Sequence, residues 1–157
     1  MDWVTGCCLL VRRACWEDLG GFDRDFFLYY EDVDLCRRAR ARGWSVWYEP
    51  ALRAVHHRPL HTRAVSPPLR LITRHALLTY SRKHWTAWQT RLLATVVRIE
   101  AWLRKQWARW TGDAGAAACF AEMGALAADL AGGRPAAARR RLRRVVRQQL
   151  PAAVSAG

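Results

Sequence analysis

Two adjacent carboxylates, Glu31 and Asp32, are the residues of this chain best suited to chemistry. They follow an aromatic and apolar run at residues 26–30 and precede a segment that is rich in arginine. Apolar surroundings raise the pKa of a carboxylate and nearby arginines lower it, so one acid of such a pair can accept a proton while the other stays ionised. Acidic pairs are also common on solvated surfaces, so an inert pair is the alternative and the surrounding sequence must decide.

Four short elements are predicted to hold this pair in position. The near-continuous apolar run from Val4 to Val11 is typical of a strand that is buried on both faces. Residues 14–19 are predicted to form a helix that ends at Gly20-Gly21, because glycine readily adopts the left-handed conformation of a helix end. A second helix is predicted from residue 32 or 33 to residue 42, with acids in its first turn, followed by a strand over residues 44–48.

Five short motifs stand in order between residues 4 and 57. They are Thr5-Gly6 ahead of an apolar run, Gly20-Gly21-Phe22-Asp23, residues 27–36 around the carboxylate pair, Arg42-Gly43-Trp44 and Val55-His56-His57. This series resembles the C-terminal half of the catalytic domain of family-2, GT-A-fold glycosyltransferases, in particular the rhamnosyltransferase-like enzymes that build bacterial surface polysaccharides. The resemblance implies an α/β fold class, with a partial GT-A (Rossmann-like) domain followed by an all-α amphipathic C-terminal region.

The resemblance also implies a role for each motif in sugar transfer from a nucleotide-sugar donor. Such a transfer needs a base for the proton of the acceptor hydroxyl, and by resemblance this base is Asp32, acting with inversion at the anomeric carbon. Glu31 would position the base or the acceptor. Thr5-Gly6 would form a turn where the backbone comes close to the donor. The remaining substrate-binding candidates are Gly21, Phe22 and Asp23 in the acceptor loop, and Asp34, Arg37 and Arg38 in the helix.

A divalent cation, Mg²⁺ or Mn²⁺, is a further implication of the resemblance. Either His56 or His57 matches a histidine that faces the donor diphosphate and its metal in similar enzymes, and the alternative for each is a hydrogen-bonded loop residue. The nucleotide-binding half with its Asp-x-Asp motif is not in this sequence, so the cation is expected only together with that half, which a separate chain could supply. This chain is therefore expected to be the C-terminal portion of an enzyme and inactive alone.

The acceptor is a further implication of the resemblance. A single, non-processive sugar addition to a cell-surface polysaccharide or lipid-linked acceptor is expected from the rhamnosyltransferase-like enzymes. The pattern Gln-x-x-Arg-Trp, which is a motif of processive synthases, occurs once in the sequence, at residues 106–110, outside the series of five motifs. The identity of the sugar and of the nucleotide is left open, because the residues that would select them belong to the other half.

The positive charge of the chain lies in its second part. Residues 1–60 contain nine Lys or Arg and nine Asp or Glu, whereas residues 61–157 contain seventeen and four, which accounts for the net charge of +13. The first part is suited to a small substrate, and the second to an extended anionic partner such as phospholipid or nucleic acid. The predicted domains are half of a GT-A domain at 1–66, an amphipathic helical region at 67–111 and a basic helical tail at 112–157.

A long amphipathic helix is predicted over residues 86–110, after a shorter helix at residues 69–84 and ahead of a basic helix at Pro135–Gln149. Tryptophan beside arginine and lysine on such a helix is typical of an element at a membrane interface, and an ordinary packed helix is an equally weighted alternative. The apolar stripe consists of Trp88, Leu92, Val96, Ile99, Leu103, Trp107 and Trp110, and the adjacent basic row consists of Arg91, Arg98, Lys105 and Arg109.

Location and alternative functions follow from composition. The sequence shows neither a signal peptide nor an uninterrupted apolar stretch of about 18–20 residues. Its five cysteines lack disulfide or zinc spacing, which is typical of reduced thiols in the cytosol. We therefore expect a cytoplasmic protein that is peripheral at the inner face of the plasma membrane and binds its anionic surface. The alternatives are a non-catalytic membrane-associated remnant and a basic nucleic-acid-binding protein, although no nucleic-acid motif is recognised and no such partner is expected.

Overall fold

The computed structural model describes residues 1–55 and 65–149, and His56 and His57 therefore lie outside the described residues. The chain divides into two compact units, Met1–Ala64 and Val65–Gly157. The described residues form the helices α1 (Arg13–Leu19), α2 (Glu31–Ala41), α3 (Pro67–His84), α4 (Ala87–Trp110), α5 (Ala114–Ala131) and α6 (Pro135–Gln149).

The first unit is built on the contact between α1 and α2. A small buried core of Cys15, Leu19, Leu35 and Ala39 joins the two helices, and partly buried side chains from the flanking segments pack against it. Helix α1 ends where the glycine pair predicts, because Gly20 takes a left-handed backbone (φ 70°). The two helices are thus held at a fixed spacing by few apolar side chains, and polar bonds supply the rest of the positioning.

The two predicted strands are not formed in the described residues. Residues 4–11 contain a turn at residues 6–8, neither this segment nor residues 44–48 pairs with a neighbouring strand, and Leu10 and Trp47 are 88% and 81% exposed. A strand is stable only when its backbone N–H and C=O groups pair with an adjacent strand, and residues 1–55 contain no such neighbour. The α/β fold class is therefore not confirmed: the described residues contain helices and no strand.

The second unit is a helical assembly in which α5 packs against α3, α4 and α6. Its fully buried side chains come from several helices and include Leu71, Leu78, Met123, Leu126 and Leu142. Local signals set the helix starts: proline occupies the first turn of α3, and a capping box of Thr86 and Gln89 starts α4. The predicted basic helix at Pro135–Gln149 is confirmed as α6.

Helix α5 was not foreseen as a separate element. Its alanines and glycine allow close approach, since a Cβ added at Gly124 would lie 3.5 Å from the Cβ of Ala101 in α4. Helix α5 is long and apolar enough to cross a membrane by length and composition alone, and 39% of it is buried inside the protein. Its acids Glu122 and Asp129 both accept hydrogen bonds from Arg141 of α6, which fits a core helix.

Candidate functional site

The carboxylate of Asp32 lies against the glycine turn at the start of the chain. Its Oδ2 accepts a hydrogen bond of 2.7 Å from the backbone N–H of Gly6, and its Oδ1 accepts one of 2.8 Å from the N–H of Val33. A Cβ added at Gly6 would lie 3.3 Å from the Cβ of Asp32, closer than most real contacts, so only glycine leaves the carboxylate undisturbed. Two backbone donors therefore fix the orientation of a half-buried carboxylate.

The neighbouring Glu31 has a different environment. Its Oε2 is buried and has no hydrogen-bond partner among the described residues. Burial raises the pKa of Glu31 above its ordinary value, its own backbone N–H opposes that shift, and the charge of Asp32 adds to it. The pair is therefore divided: Asp32 is held in place by N–H groups, whereas Glu31 has an unused oxygen and a greater tendency to hold a proton.

Two consecutive tyrosines turn the chain into the carboxylate pair. Tyr29 (φ 71°) and Tyr30 (φ 66°) both have left-handed backbones, and Tyr30 is the residue from which α2 starts. Such a conformation costs a bulky residue on the order of 1–2 kcal/mol, and strain of this kind concentrates at functional sites. The sequence gives no signal for it, because tyrosine is not a residue that favours φ above zero.

Asp34 is enclosed, and its place indicates a structural contribution. Its side chain is fully buried, and the Nε of Arg38 lies 2.7 Å from its Oδ2. The other nitrogens of Arg38 donate to the carbonyl oxygens of Leu19 (2.9 Å) and Gly21 (2.8 Å). Asp34 and Arg38 thus join α2 to the end of α1 and to the glycine pair, whereas Arg37 is exposed.

The predicted acceptor loop is shaped by an aromatic contact. Gly21 has a left-handed backbone (φ 74°), and a Cβ there would lie 2.9 Å from the ring of Trp16, so a side chain is excluded. The ring of Phe22 stacks edge-on against Trp16 with centroids 5.2 Å apart. Asp23 accepts a bond of 2.7 Å from the N–H of Asp25, which tightens the next turn. The loop is therefore a formed surface beside the Asp34–Arg38 pair.

The predicted site residues fall into three groups in the structure. Gly6 and Asp32 are in direct contact, with the exposed Thr5 and with Glu31 as their chain neighbours. The glycine of the acceptor loop is tied to α2 through Arg38. His56 and His57 lie outside the described residues, and within residues 1–55 and 65–149 no three His, Cys, Asp or Glu side chains come together as a metal site. Glu31 and Asp32 alone do not make one.

A second surface of interest is the side of α4 that points away from the helical assembly. The buried residues of α4, such as Ala94, Val97 and Ala101, face its neighbours. At 3.6 residues per turn, the large apolar side chains project from the opposite side of the helix. We call them the outer face of α4; they are between 54% and 77% exposed and comprise Trp88, Leu92, Val96, Ile99, Trp102, Leu103, Trp107 and Trp110.

The exposure of the outer face bears on whether α4 packs through its apolar stripe within the described residues. The apolar stripe predicted for this helix is not the surface by which α4 packs, because its packing side is lined by small residues instead. Trp102, which is not part of the predicted stripe, belongs to the outer face and lies three residues after Ile99, a spacing that identifies neighbours on one side of a helix.

Comparison with known proteins gives a family match. The sequence profile of a family described as "Glycosyltransferase like family 2" matches residues 1–110. The N-acetylglucosaminyl-diphospho-decaprenol L-rhamnosyltransferase of Mycobacterium tuberculosis is 40% identical over 75 residues, which are 48% of this chain and 24% of the relative. The rhamnosyltransferase WbbL of Escherichia coli is 40% identical over 57 residues, 36% of this chain and 22% of the relative.

More distant relatives act in related processes by their names. The low-salt glycan biosynthesis hexosyltransferase Agl10 of Haloferax volcanii is 28% identical over 60 residues, which are 38% of this chain and 20% of the relative. No solved structure matches this chain significantly. The chain spans about a quarter of the length of these two rhamnosyltransferases.

Proposed function

Because the chain belongs to the family 2 glycosyltransferases, we propose that it carries the acceptor side of a site that transfers a sugar from a nucleotide-sugar donor. The observation that supports this most strongly is the hydrogen bond from Gly6 to Asp32, which joins two motifs that are 26 residues apart in the chain. A carboxylate oriented by backbone donors beside a glycine turn is suited to accept the proton of a hydroxyl that attacks a donor lying over that turn.

The proposed reaction is a direct displacement with inversion. The acceptor hydroxyl oxygen forms a bond to the anomeric carbon as the bond from that carbon to the diphosphate oxygen breaks. The proton of the hydroxyl passes to Asp32, and the leaving nucleoside diphosphate carries away the electron pair. Glu31 positions the base or the acceptor, and its unused oxygen and raised pKa suit a hydrogen bond to a second sugar hydroxyl.

We assign nucleotide binding and cation binding to residues other than those that the structure describes. Enzymes of this family generally use a divalent cation, Mg²⁺ or Mn²⁺, which would neutralise the leaving diphosphate. The described residues contain no cluster that could hold such an ion by itself, so no step is assigned to a metal ligand of this chain. Thr5, Gly6 and the acceptor loop would contact sugar and acceptor, with the nucleotide held by a separate N-terminal half.

The proposed acceptor is a saccharide or lipid-linked molecule of cell-surface polysaccharide assembly. The names of the relatives support this class, since one acts on a decaprenol-linked saccharide and another is named as a rhamnosyltransferase. We also propose that the addition is single and non-processive, as the family resemblance implies. We place the reaction at the cytoplasmic face of the plasma membrane, where a lipid-linked acceptor would be found.

The catalytic assignment is tested by reconstituting the chain with a nucleotide-binding half from a relative, fused or supplied separately. Asp32→Asn keeps the shape of the side chain but removes its basicity, so we expect sugar transfer to fall about 10²–10⁴-fold. Asp2→Asn, an exposed carboxylate elsewhere in the unit, and Cys36→Ala serve as matched controls that should retain activity. Undiminished transfer by Asp32→Asn would remove the proposed base, whereas a loss confined to Glu31→Gln would move the role to Glu31.

The peripheral membrane position is proposed from the outer face of α4. A contiguous apolar face containing four tryptophans marks an interaction surface, and tryptophan prefers the boundary between hydrocarbon and headgroups. Arg91 and Arg98 are exposed along one edge of this face and make no side-chain ion pair among the described residues. Anionic lipid would neutralise them.

Vesicle sedimentation tests this position. We expect the chain to sediment with vesicles that contain anionic lipid, less so at high salt because the lipid attraction is screened. Trp107→Glu should weaken sedimentation, while Glu17→Gln on α1 should not. Duplex DNA of the same charge concentration provides the competing partner: salt-sensitive binding to DNA without any preference for anionic vesicles would favour the nucleic-acid alternative.

A further inference from the structure

We propose that the groove between α4 and α5 seats one hydrocarbon chain of an anionic phospholipid, whose phosphate lies between Arg98 and Lys105. This proposal rests on the membrane position argued above and adds a defined site for a single lipid molecule. It concerns the second unit only and is independent of the assignment of Asp32. The site is composed of a groove, a wall that continues onto the outer face of α4, and two cations.

The groove exists because the facing side chains of α4 and α5 are small. Its volume is about 600 Å³, and it is open along one side. Ala101 of α4 and Gly124 of α5 face each other at its floor, where a Cβ added at Gly124 would just reach van der Waals contact with Ala101. Ala125 and Ala128 continue this floor along α5, so no side chain fills the space above them. A slender and flexible hydrocarbon chain fits such a shallow apolar channel better than a bulky side chain or a folded partner does.

One wall of the groove belongs to the outer face of α4. Ile99 and Trp102 line the groove and are 54% and 55% exposed, so the apolar surface of the groove continues without a break onto the outer face. If the outer face enters the headgroup region, the groove is then at the depth of the acyl chains. The indole of Trp102 at this edge combines an apolar ring with an N–H donor, which is the combination found at membrane interfaces.

Two cationic side chains indicate where the phosphate of the proposed lipid lies. Arg98 and Lys105 both line the groove, and neither makes a side-chain hydrogen bond or ion pair among the described residues. They are two helical turns apart on one flank, about 10 Å along the axis, which two long side chains can span to reach one phosphate. By contrast, the nearby Arg104 on the other flank is paired with Glu100 at 2.9 Å.

The same two cations argue against a second copy of this chain in the groove. Two copies packed through this face would bring Arg98 and Lys105 of each protomer together without an acid to neutralise them, and like charges in close contact are destabilising. An anionic lipid satisfies both the apolar floor and the charged edge. Charge complementarity therefore selects the lipid among the possible occupants.

The test uses the full chain and a phosphatidylglycerol with six-carbon acyl chains, kept below the concentration at which it forms micelles. Calorimetric titration should show saturable binding of about one lipid per chain, with inorganic phosphate binding far more weakly because it lacks the hydrocarbon. Ala125→Leu fills the groove at a position that is only partly buried, and we expect it to weaken lipid binding about tenfold, the equivalent of roughly two buried methylene groups. Ala136→Leu, exposed on α6, is the matched control and should bind as the wild type does.

A second pair of variants distinguishes a defined lipid site from general attraction of the lipid by positive charge. The double change Arg98→Gln with Lys105→Gln should weaken lipid binding about tenfold, whereas Arg140→Gln with Arg143→Gln removes the same charge from α6 and should change it less than twofold. Equal losses in the two double variants would overturn the proposal, as would unchanged binding in Ala125→Leu. Concentration-dependent dimerisation that is lost in Ala125→Leu without lipid would instead identify a second copy as the occupant.

The outcome is separable from that of the proposed function. Circular dichroism of each variant checks that the helices persist, so that a loss of binding cannot be ascribed to unfolding. Transfer to a soluble acceptor should be unaffected by Ala125→Leu even if lipid binding is lost. Conversely, loss of transfer in Asp32→Asn with unchanged lipid binding would leave the groove assignment intact.

Discussion

The two units of this chain place their arginines and their large apolar side chains in different ways. In the first unit Arg38 is used inward, where it binds a buried carboxylate and two carbonyl oxygens. In the second unit Arg98 and Lys105 make no side-chain ion pair among the described residues and border an exposed apolar face. Arg38 therefore positions a small polar site in the first unit, whereas Arg98 and Lys105 leave a charge for an external partner in the second.

Exposed apolar side chains also have different origins in the two units. In the first unit Leu10 and Trp47 lie on residues 4–11 and 44–48, two segments without strand pairing that border a cavity of about 430 Å³ above the core of α1 and α2. That pattern is expected where sheet neighbours are lacking. In the second unit the exposed apolar side chains form one continuous face of a complete and well-capped helix. Exposure alone therefore does not identify a docking surface; the completeness of the element beneath it does.

The largest effect on stability is expected from replacing Arg38, the arginine of the first unit that binds a buried carboxylate. Arg38→Met leaves the buried carboxylate of Asp34 without its cation, and removing one partner of a buried pair costs about 3–5 kcal/mol. Hydrogen exchange should show loss of protection across residues 13–41 with no change across residues 67–149. The control is Arg13→Met, which breaks the exposed pair with Glu17 and should cost less than about 1 kcal/mol. Equal effects would show that the inward pair has no special role.

The next effect concerns acid sensitivity of the second unit. His75 is buried there with Nδ1 unpartnered among the described residues, and burial lowers its pKa to about 4. Above its unfolded pKa of about 6.5 both states are neutral, so the full stability is present. As the pH falls from there towards the folded pKa, only the unfolded chain takes up a proton, and the free energy of unfolding should fall by about 2 kcal/mol by pH 4.5.

Urea denaturation followed by circular dichroism at a series of pH values measures this loss. The substitution His75→Gln should flatten the profile between pH 6.5 and 4.5, because its side chain does not titrate. In His84→Gln, which changes a histidine outside the core, the profile of the wild type should persist. A wild-type profile that stays flat over this interval would contradict the neutral, buried state of His75.

The smallest effects on stability are expected from replacing one glycine by alanine in each unit. Gly115→Ala in α5 meets only an ordinary contact of 3.5 Å, so it should raise the free energy of unfolding by about 0.5–1 kcal/mol through helix propensity. Gly6→Ala would place its Cβ 3.3 Å from Asp32 and should displace the carboxylate. We expect sugar transfer in the reconstituted enzyme to fall by about tenfold, with little change in thermal unfolding. Full activity in Gly6→Ala would show that the contact does not position the base.

Much of the helical structure could be predicted from the sequence. The ends of α1, α3, α4 and α6 lie within about two residues of the predicted bounds, because glycine, proline and capping residues act on the chain next to them. The strands at residues 4–11 and 44–48 were predicted from composition but did not form, since a ladder depends on a partner that need not be nearby in sequence. Helix α5 was not predicted because its alanine-rich sequence shows little periodic alternation between polar and apolar residues.

The candidate site was predicted in its residue types and not in its arrangement. Family motifs pointed to Gly6, Glu31 and Asp32, but the contact between the first and the last depends on how α2 packs. The left-handed backbones of Tyr29 and Tyr30 and the burial of Asp34 had no sequence signal. These features arise from contacts between residues far apart in the chain, which local preference does not encode.

The sequence by itself determined the charge of each unit, the helix ends and the set of residues that share a face of α4, because these follow from composition and from the helical repeat. The tertiary structure decided which face of α4 is covered, which carboxylate accepts the N–H of Gly6 and which arginines lack a partner. Periodicity states which side chains point the same way, but only packing decides what they meet.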